Sequence, residues 1–119
     1  MLAKQYRLHK NFQYTYVYKK GASVPARNLT LVYVKASGSL RIGFSVSNKI
    51  GKAVVRNKVK RRLRASVKRI MPQMKRGYNY VFTARPGITN DLYPDIHNTV
   101  VYLLKKAGLY EFSQNKDLK

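Results

Sequence analysis

Residues 49–70 read KIGKAVVRNKVKRRLRASVKRI, and a helix can hold them only by dividing them between a core and a polar surface. At 100° per residue, with Arg56 as zero, Val55, Val59, Leu63 and Ile70 fall at about 260°, 300°, 340° and 320°. On the same scale Lys60 falls at about 40°, Arg64 at 80°, Asn57 at 100° and Arg61 at 140°. A narrow apolar stripe able to dock on a sheet therefore runs beside a continuous cationic arc that contains no carboxylate. Solvated helix faces normally alternate in sign, because opposite charges four apart stabilise a helix by about 0.2–0.5 kcal/mol and like charges cost as much. Here that stability is given up at successive pairs, which points to a surface kept for phosphate. The preceding turn, Ser47-Asn48-Lys49-Ile50-Gly51-Lys52, brings more cations to a helix N-terminus whose free N–H groups also favour anions. Asn57 can donate to a phosphate or a 2′-hydroxyl and accept from a base or ribose, although simple surface polarity accounts for it equally well.

The charge bias extends beyond this segment. The chain has 25 Lys+Arg against 4 Asp+Glu, a net charge of +21. Its acids are Asp91, Asp95, Glu111 and Asp117, so residues 1–90 hold no carboxylate. A body so charged repels itself unless a polyanion neutralises it. Nucleic acid fits best, because basic groups are interleaved with aromatics. A membrane-surface protein would want an amphipathic terminal helix with Trp or Phe anchors, and there is no Trp.

The absence of cysteine excludes a disulfide framework, a thiol nucleophile and Cys-based zinc. No apolar run approaches the ~18 residues a membrane span needs, and the opening MLAKQYRLHK lacks an apolar signal segment. A cytoplasmic location without membrane attachment is the expectation. A hydrophobic fraction of 45% is that of a folded chain. Its 119 residues suit one RNA-binding domain over 1–119, with a flexible N-terminal arm at 1–9 and a frayed tail at 113–119.

Residues 10–20 (KNFQYTYVYKK) predict a short helix with Gly21 as a left-handed stop. Tyr14 and Tyr18 share a face with Val17 alongside, and Phe12 and Tyr16 form a second pair roughly opposite. Leu29–Ala36 and Leu40–Ser47 predict two strands joined as a hairpin through Ser37-Gly38-Ser39. Tyr78–Ala84 predicts a third strand. A last helix is expected near Tyr93–Ala107, with caps offered by Thr89, Asn90 and Asp91, Pro94 in its first turn and Gly108 past its end. Ile96, Val100, Leu103, Leu104 and Ala107 follow helical spacing and should pack on the sheet. The order α-β-β-α-β-α makes a small two-layer α+β sandwich with helices covering a sheet.

Protein-based hydrolysis would need a carboxylate pair, a metal cluster or an activated nucleophile. Asp91 and the Asp95-x-His97 pair lie close in sequence, but acids at a helix N-terminus beside a surface histidine account for them. No catalytic residue and no protein metal site is expected.

The segment Lys49-x-Gly51-x-Ala53-x-x-Arg56-Asn57-x-x-Lys60-Arg61-x-x-Arg64 resembles the signature of the bacterial ribonuclease P protein family, the RNR motif. Other features agree over roughly residues 4–107: Arg7-Leu8, the aromatic helix ending at Gly21, and Arg41-Ile42-Gly43-Phe44-Ser45-Val46-Ser47. The resemblance implies a fold like domain 2 of ribosomal S5, with a left-handed βαβ crossover where composition alone would favour the right-handed form. It also implies a monomeric partner of the catalytic RNA of ribonuclease P, aiding removal of the 5′ leader of precursor tRNA. The RNA would perform the cleavage with Mg²⁺ that it holds itself. By the same resemblance, Lys49, Lys52, Arg56, Asn57, Lys60, Arg61 and Arg64 would contact the catalytic RNA. Tyr14, Tyr18 and Val32 would line a cleft for the leader, with tyrosines at two positions where the family more commonly has Phe. On the residues alone, Phe12 and Tyr16 stay open as the alternative face. So does the floor of the cleft, with Thr30, Val32 and Val34 on one side of the strand and Leu29, Leu31 and Tyr33 on the other. A basic ribosomal-type RNA-binding protein, or a DNA-binding module reading a groove with the same helix, would share the charge pattern.

Overall fold

The computed structural model describes residues 4–37 and 40–111. In chain order the elements are α1 (Asn11–Lys20), β1 (Ala22–Pro25), β2 (Leu29–Lys35), β3 (Arg41–Ser45), α2 (Ala53–Ile70), β4 (Tyr78–Ala84) and α3 (Tyr93–Ala107), with short 3₁₀ turns between some of them. The four strands form one mixed sheet in the order β1-β2-β4-β3. β2 lies antiparallel to both β1 and β4, while β3 and β4 are parallel.

Two expectations change here. β2 and β3 do not form a hairpin, because β4 lies between them: Val32 faces Val81, and Val81 faces Gly43. Strands buried on both faces have no clean alternation to announce their neighbours. Consecutive strands pair only about two-thirds of the time. β3, α2 and β4 form a parallel βαβ crossover. β1 was not anticipated as a strand either. Its ASVP sequence is short, mostly exposed and ends in proline, as an edge strand can. Gly38 and Ser39 of the expected turn, and the tail at 113–119, lie outside the described residues.

Strand alternation sends side chains to two different cores. Leu29, Leu31, Tyr80 and Phe82 join Val59, Leu63, Val67 and Ile70 of α2 and Ile96, Val100, Leu103 and Leu104 of α3 in the main cluster. Val32 and Val81 point the other way and pack with Val17 of α1 and Leu8. α1 therefore adds a partial third layer to the two-layer sandwich read from the sequence. Each fully buried aliphatic side chain here is worth about 1.5–3 kcal/mol. Docking α1 through one fully buried residue, Val17, leaves most of its surface open.

Residues 1–3 of the expected N-terminal arm lie outside the described residues, and the end of that arm packs on the sheet. Leu8 is buried, its N–H donates to the Ile42 carbonyl at 3.0 Å, and Arg7 bridges to Ile42 beyond the β3 edge. The Gln13 side chain then accepts from the backbone N–H groups of His9 (2.8 Å) and Lys10 (3.1 Å), which fixes the first turn of α1. Gly21 ends α1 in an extended conformation (φ −86°) and not the left-handed one. What requires glycine there is proximity, since a Cβ would meet the carbonyl oxygens of Val17 and Tyr33 at 2.5 Å.

At α3 the N-terminal acceptor is Asp95, bonded to the Leu92 N–H at 3.0 Å. Asp91 instead accepts from the Asn28 side chain at 2.9 Å. Among the described residues, no helix is long and apolar enough to cross a membrane.

Candidate nucleic-acid interface

α2 buries Val59, Leu63, Ser66, Val67 and Ile70; of the stripe that its spacing predicts, Val55 is only half-buried, and Ser66 and Val67 are added. Its cations then separate by position. Arg56, Lys60 and Arg64 are half-buried along one shoulder, and Asn57 and Arg61 are exposed on the outside. On the opposite shoulder Arg62 donates to the Asp91 carbonyl at 3.0 Å; this cation is a tether between α2 and the start of α3. Lys49 lies in the 3₁₀ turn Asn48–Ile50, and Lys52 caps α2 by backbone position. Arg56 reaches back to the Asn48 side-chain oxygen, binding that turn to the helix.

The inner shoulder of α2 faces α1 across the β3 edge. Lys60 and Arg64 line a groove with Arg7, His9, Tyr14, Ile42 and Phe44, of about 250 Å³. Tyr14 is seated over Gly43, where a Cβ would meet the ring carbons and hydroxyl at 2.6 Å. Burial pushes the Tyr14 phenol above its ordinary value, opposed by a backbone hydrogen bond with Phe44 and by the Arg64 charge. The phenol thus stays protonated at neutral pH and keeps its donor. One turn further on, Tyr18 is 44% exposed, and its hydroxyl lies 2.9 Å from the Thr83 hydroxyl. Both rings are held at their tips with part of their surface open.

Two guanidinium Nε groups, of Arg7 and Arg56, are buried without a protein acceptor. Buried donors are rarely left so, and a phosphate oxygen beside them would satisfy both charge and hydrogen bond. The groove's own residues include four cationic or imidazole side chains and no carboxylate. That donor set does not fit a protein-held Mg²⁺, which takes oxygen ligands.

Tyr14 and Tyr18 stand together on the groove side of α1. Val32 is buried beneath α1 with Leu8, Val17 and Val81, where it supports the helix. Val32 and Val34 lie on the α1 face of the strand, with Leu29 and Leu31 in the opposite core. Phe12 and Tyr16 lie on the other flank of α1, outside the groove.

Sequence reasoning overlooked Arg7, His9 and Phe44 as groove residues. The signal for that side of the groove was Gly43, because a glycine inside a strand often marks a close approach by another group. The acidic segment divides its members among separate partners: Asp91 with Asn28, Asp95 with Leu92, and His97 Nδ1 with the buried Ser66 hydroxyl at 2.8 Å. His97 is half-buried, not the surface residue expected. Among the described residues, no group of three or more metal-ligating side chains occurs.

Fold and groove together define a small, strongly basic α+β protein with an aromatic channel beside a cationic helix. A family model described as Ribonuclease P matches residues 2–108. The chain is 42% identical over 109 residues to the ribonuclease P protein component of Clostridium botulinum, covering 90% of this chain and 98% of that one. The structure of a Staphylococcus aureus RNase P protein mutant superposes with a TM-score of 0.84 at 32% identity, covering 90% and 92% of the two chains. The RNase P protein from Thermotoga maritima gives 0.78 at 25% identity, covering 84% and 96%. This chain belongs to the bacterial ribonuclease P protein family.

Proposed function

We propose that the chain serves as the protein subunit of ribonuclease P, a tRNA-processing endonuclease whose chemistry resides in its RNA. α2 would meet the catalytic RNA with Arg56, Asn57, Lys60, Arg61 and Arg64, assisted by Lys49 and Lys52 at its start. The groove would take the 5′ leader of precursor tRNA. The observation that carries this reading is that Lys60 and Arg64 share one groove with Tyr14, with Tyr18 one turn away.

Each part has a physical task. Stacking of a base on an aromatic ring is worth about 1–3 kcal/mol and accepts any base, which suits a leader of variable sequence. Arg7, Lys60 and Arg64 neutralise phosphates of the strand lying between the rings and α2, and so lessen repulsion between leader and catalytic RNA. That screening lowers the divalent cation concentration the RNA needs for folding and substrate binding. Mg²⁺ is assigned to the RNA, and the protein contributes affinity and position. The expected particle holds the chain as a monomer against one RNA face, in the cytoplasm where precursor tRNA is made.

Reconstitution tests this directly. With a bacterial ribonuclease P RNA at low Mg²⁺, adding the chain should restore 5′ cleavage of precursor tRNA. It should also raise affinity for precursor over mature tRNA. Equal affinity for the two would remove the leader from the groove and favour a purely structural RNA-binding role.

A further inference from the structure

α1 is aromatic on both flanks, and the groove uses only one of them. Phe12 and Tyr16 lie four apart on the flank opposite Tyr14 and Tyr18, and they are 67% and 51% exposed. They border a second hollow of about 630 Å³ with Gln13, Thr15, Lys19 and, from β4, Asn79. Two large aromatics are left in water where polar residues would cost nothing, beside a concavity, a cation and an amide. Arg41 is the register neighbour of Asn79 on the same sheet face, and no acid precedes Asp91 in the chain. The surroundings of the hollow therefore favour an anionic occupant with flat rings.

We propose that this outer flank is a second stacking site for single-stranded RNA, taken by leader nucleotides farther from the cleavage site than those in the Tyr14–Tyr18 groove. The assignment rests on the proposed leader groove and extends it. α2 supplies Lys60 and Arg64 to the inner groove but no residue to the outer hollow. A strand leaving the groove away from α2, and so away from the catalytic RNA, runs toward its own 5′ end. Crossing α1, which is about 10–12 Å wide with its side chains, brings it to Phe12 and Tyr16. Lys19 would hold a phosphate, while Asn79 offers a donor and an acceptor to a base edge and Gln13, its oxygen engaged by the His9 and Lys10 N–H groups, offers its amide N–H. Single-strand binding sites of this kind span about 4–16 nucleotides, enough for a path over both flanks.

The test measures affinity of the reconstituted holoenzyme for two precursor tRNAs, with leaders of about four and about twelve nucleotides, the range such sites span. Wild type, Phe12→Ala/Tyr16→Ala and Tyr14→Ala/Tyr18→Ala are compared. The outer pair should weaken long-leader binding by about tenfold or more, within the range for loss of base stacking, and lose far less with the short leader. The inner pair should lose affinity with both. Wild-type affinity of the outer variant for the long leader overturns the proposal, whatever the inner variant does. If the outer variant alters only self-association, measured by sedimentation, the flank is a contact between copies and the proposal also fails. Loss from neither pair, on either substrate, instead removes the leader groove itself. Both side chains lie outside the core, so matching melting temperatures establish that the variants fold. A further variant, Phe12→Leu/Tyr16→Leu, keeps apolar bulk but removes the rings; it should behave like the alanine variant if stacking is the source of affinity.

Discussion

Tyr14 rests on Gly43 so closely that the glycine's missing side chain is what admits the ring: a Cβ at that position would lie 2.6 Å from Tyr14 Cε1 and Cζ. A strand residue and a helix residue are thereby fitted to each other, and the groove takes its width from that fit. Gly43→Ala should displace the ring or the helix, with an overpacking cost of about 1–3 kcal/mol. Thermal unfolding reads the loss, and holoenzyme binding should show weaker discrimination between precursor and mature tRNA. Unchanged stability and discrimination would mean that α1 shifts freely on the sheet.

The inner shoulder of α2 makes a different prediction. Arg56→Ala with Arg64→Ala should weaken binding to the catalytic RNA. Six phosphate contacts on single-stranded RNA give a log–log salt slope of about −4, and each lost contact reduces its magnitude by roughly 0.7. The double variant should therefore be shallower by roughly 1.4. A slope identical to wild type would take both arginines out of the interface.

Tyr18 has two separable parts, a ring face and a hydroxyl bonded to Thr83. Tyr18→Phe removes only the hydrogen bond and should cost about 0.5–1.5 kcal/mol of stability or less, while keeping the preference for precursor tRNA. Tyr18→Ala removes the ring and should reduce that preference. Paired measurements of melting temperature and leader-dependent affinity separate the two effects, and equal leader discrimination in both variants would remove the ring from the leader site.

His97 links stability to pH. Burial, aided by the Arg69 charge, lowers its proton affinity below the ordinary 6.5, and its Nδ1 lies 2.8 Å from the buried Ser66 hydroxyl. The unfolded chain takes up this proton near its ordinary value while the folded chain resists it. Stability is therefore full above pH 6.5 and falls as the pH drops toward the lowered folded value. Melting temperatures between about pH 7.5 and 5.5 should show that decline. His97→Asn, which cannot titrate, should flatten it; an identical decline in the variant would assign the effect elsewhere.

The helices were the most legible part of this chain. α3 matches the expected Tyr93–Ala107 span, because its apolar positions recur at helical spacing around an obvious N-terminal proline. The buried stripe of α2 likewise follows from the angles of Val59, Leu63 and Ile70. Strand order was not legible: Leu29–Lys35 and Arg41–Ser45 are neighbours in sequence, but their partner is chosen by a crossover and not by the turn between them. The burial of Val32 was not legible for a related reason. Alternation gives the face on which a residue lies, but not whether a helix covers it. Within the groove, α2's cations were readable as a set, yet their split into the groove-facing Lys60 and the tethering Arg62 depends on what packs beside each shoulder. Arg7 was overlooked as a groove residue because the edge strand that holds it makes no local pattern with it.

The position of β4 has a consequence for synthesis. Until Tyr78–Ala84 leaves the ribosome, β2 and β3 have no common neighbour, and the half-finished product is a cationic chain whose sheet cannot close. Pairing across such sequence separations is slow compared with local helix formation. The nascent polypeptide thus exposes the whole basic segment of α2 before the strand that completes its scaffold has been made.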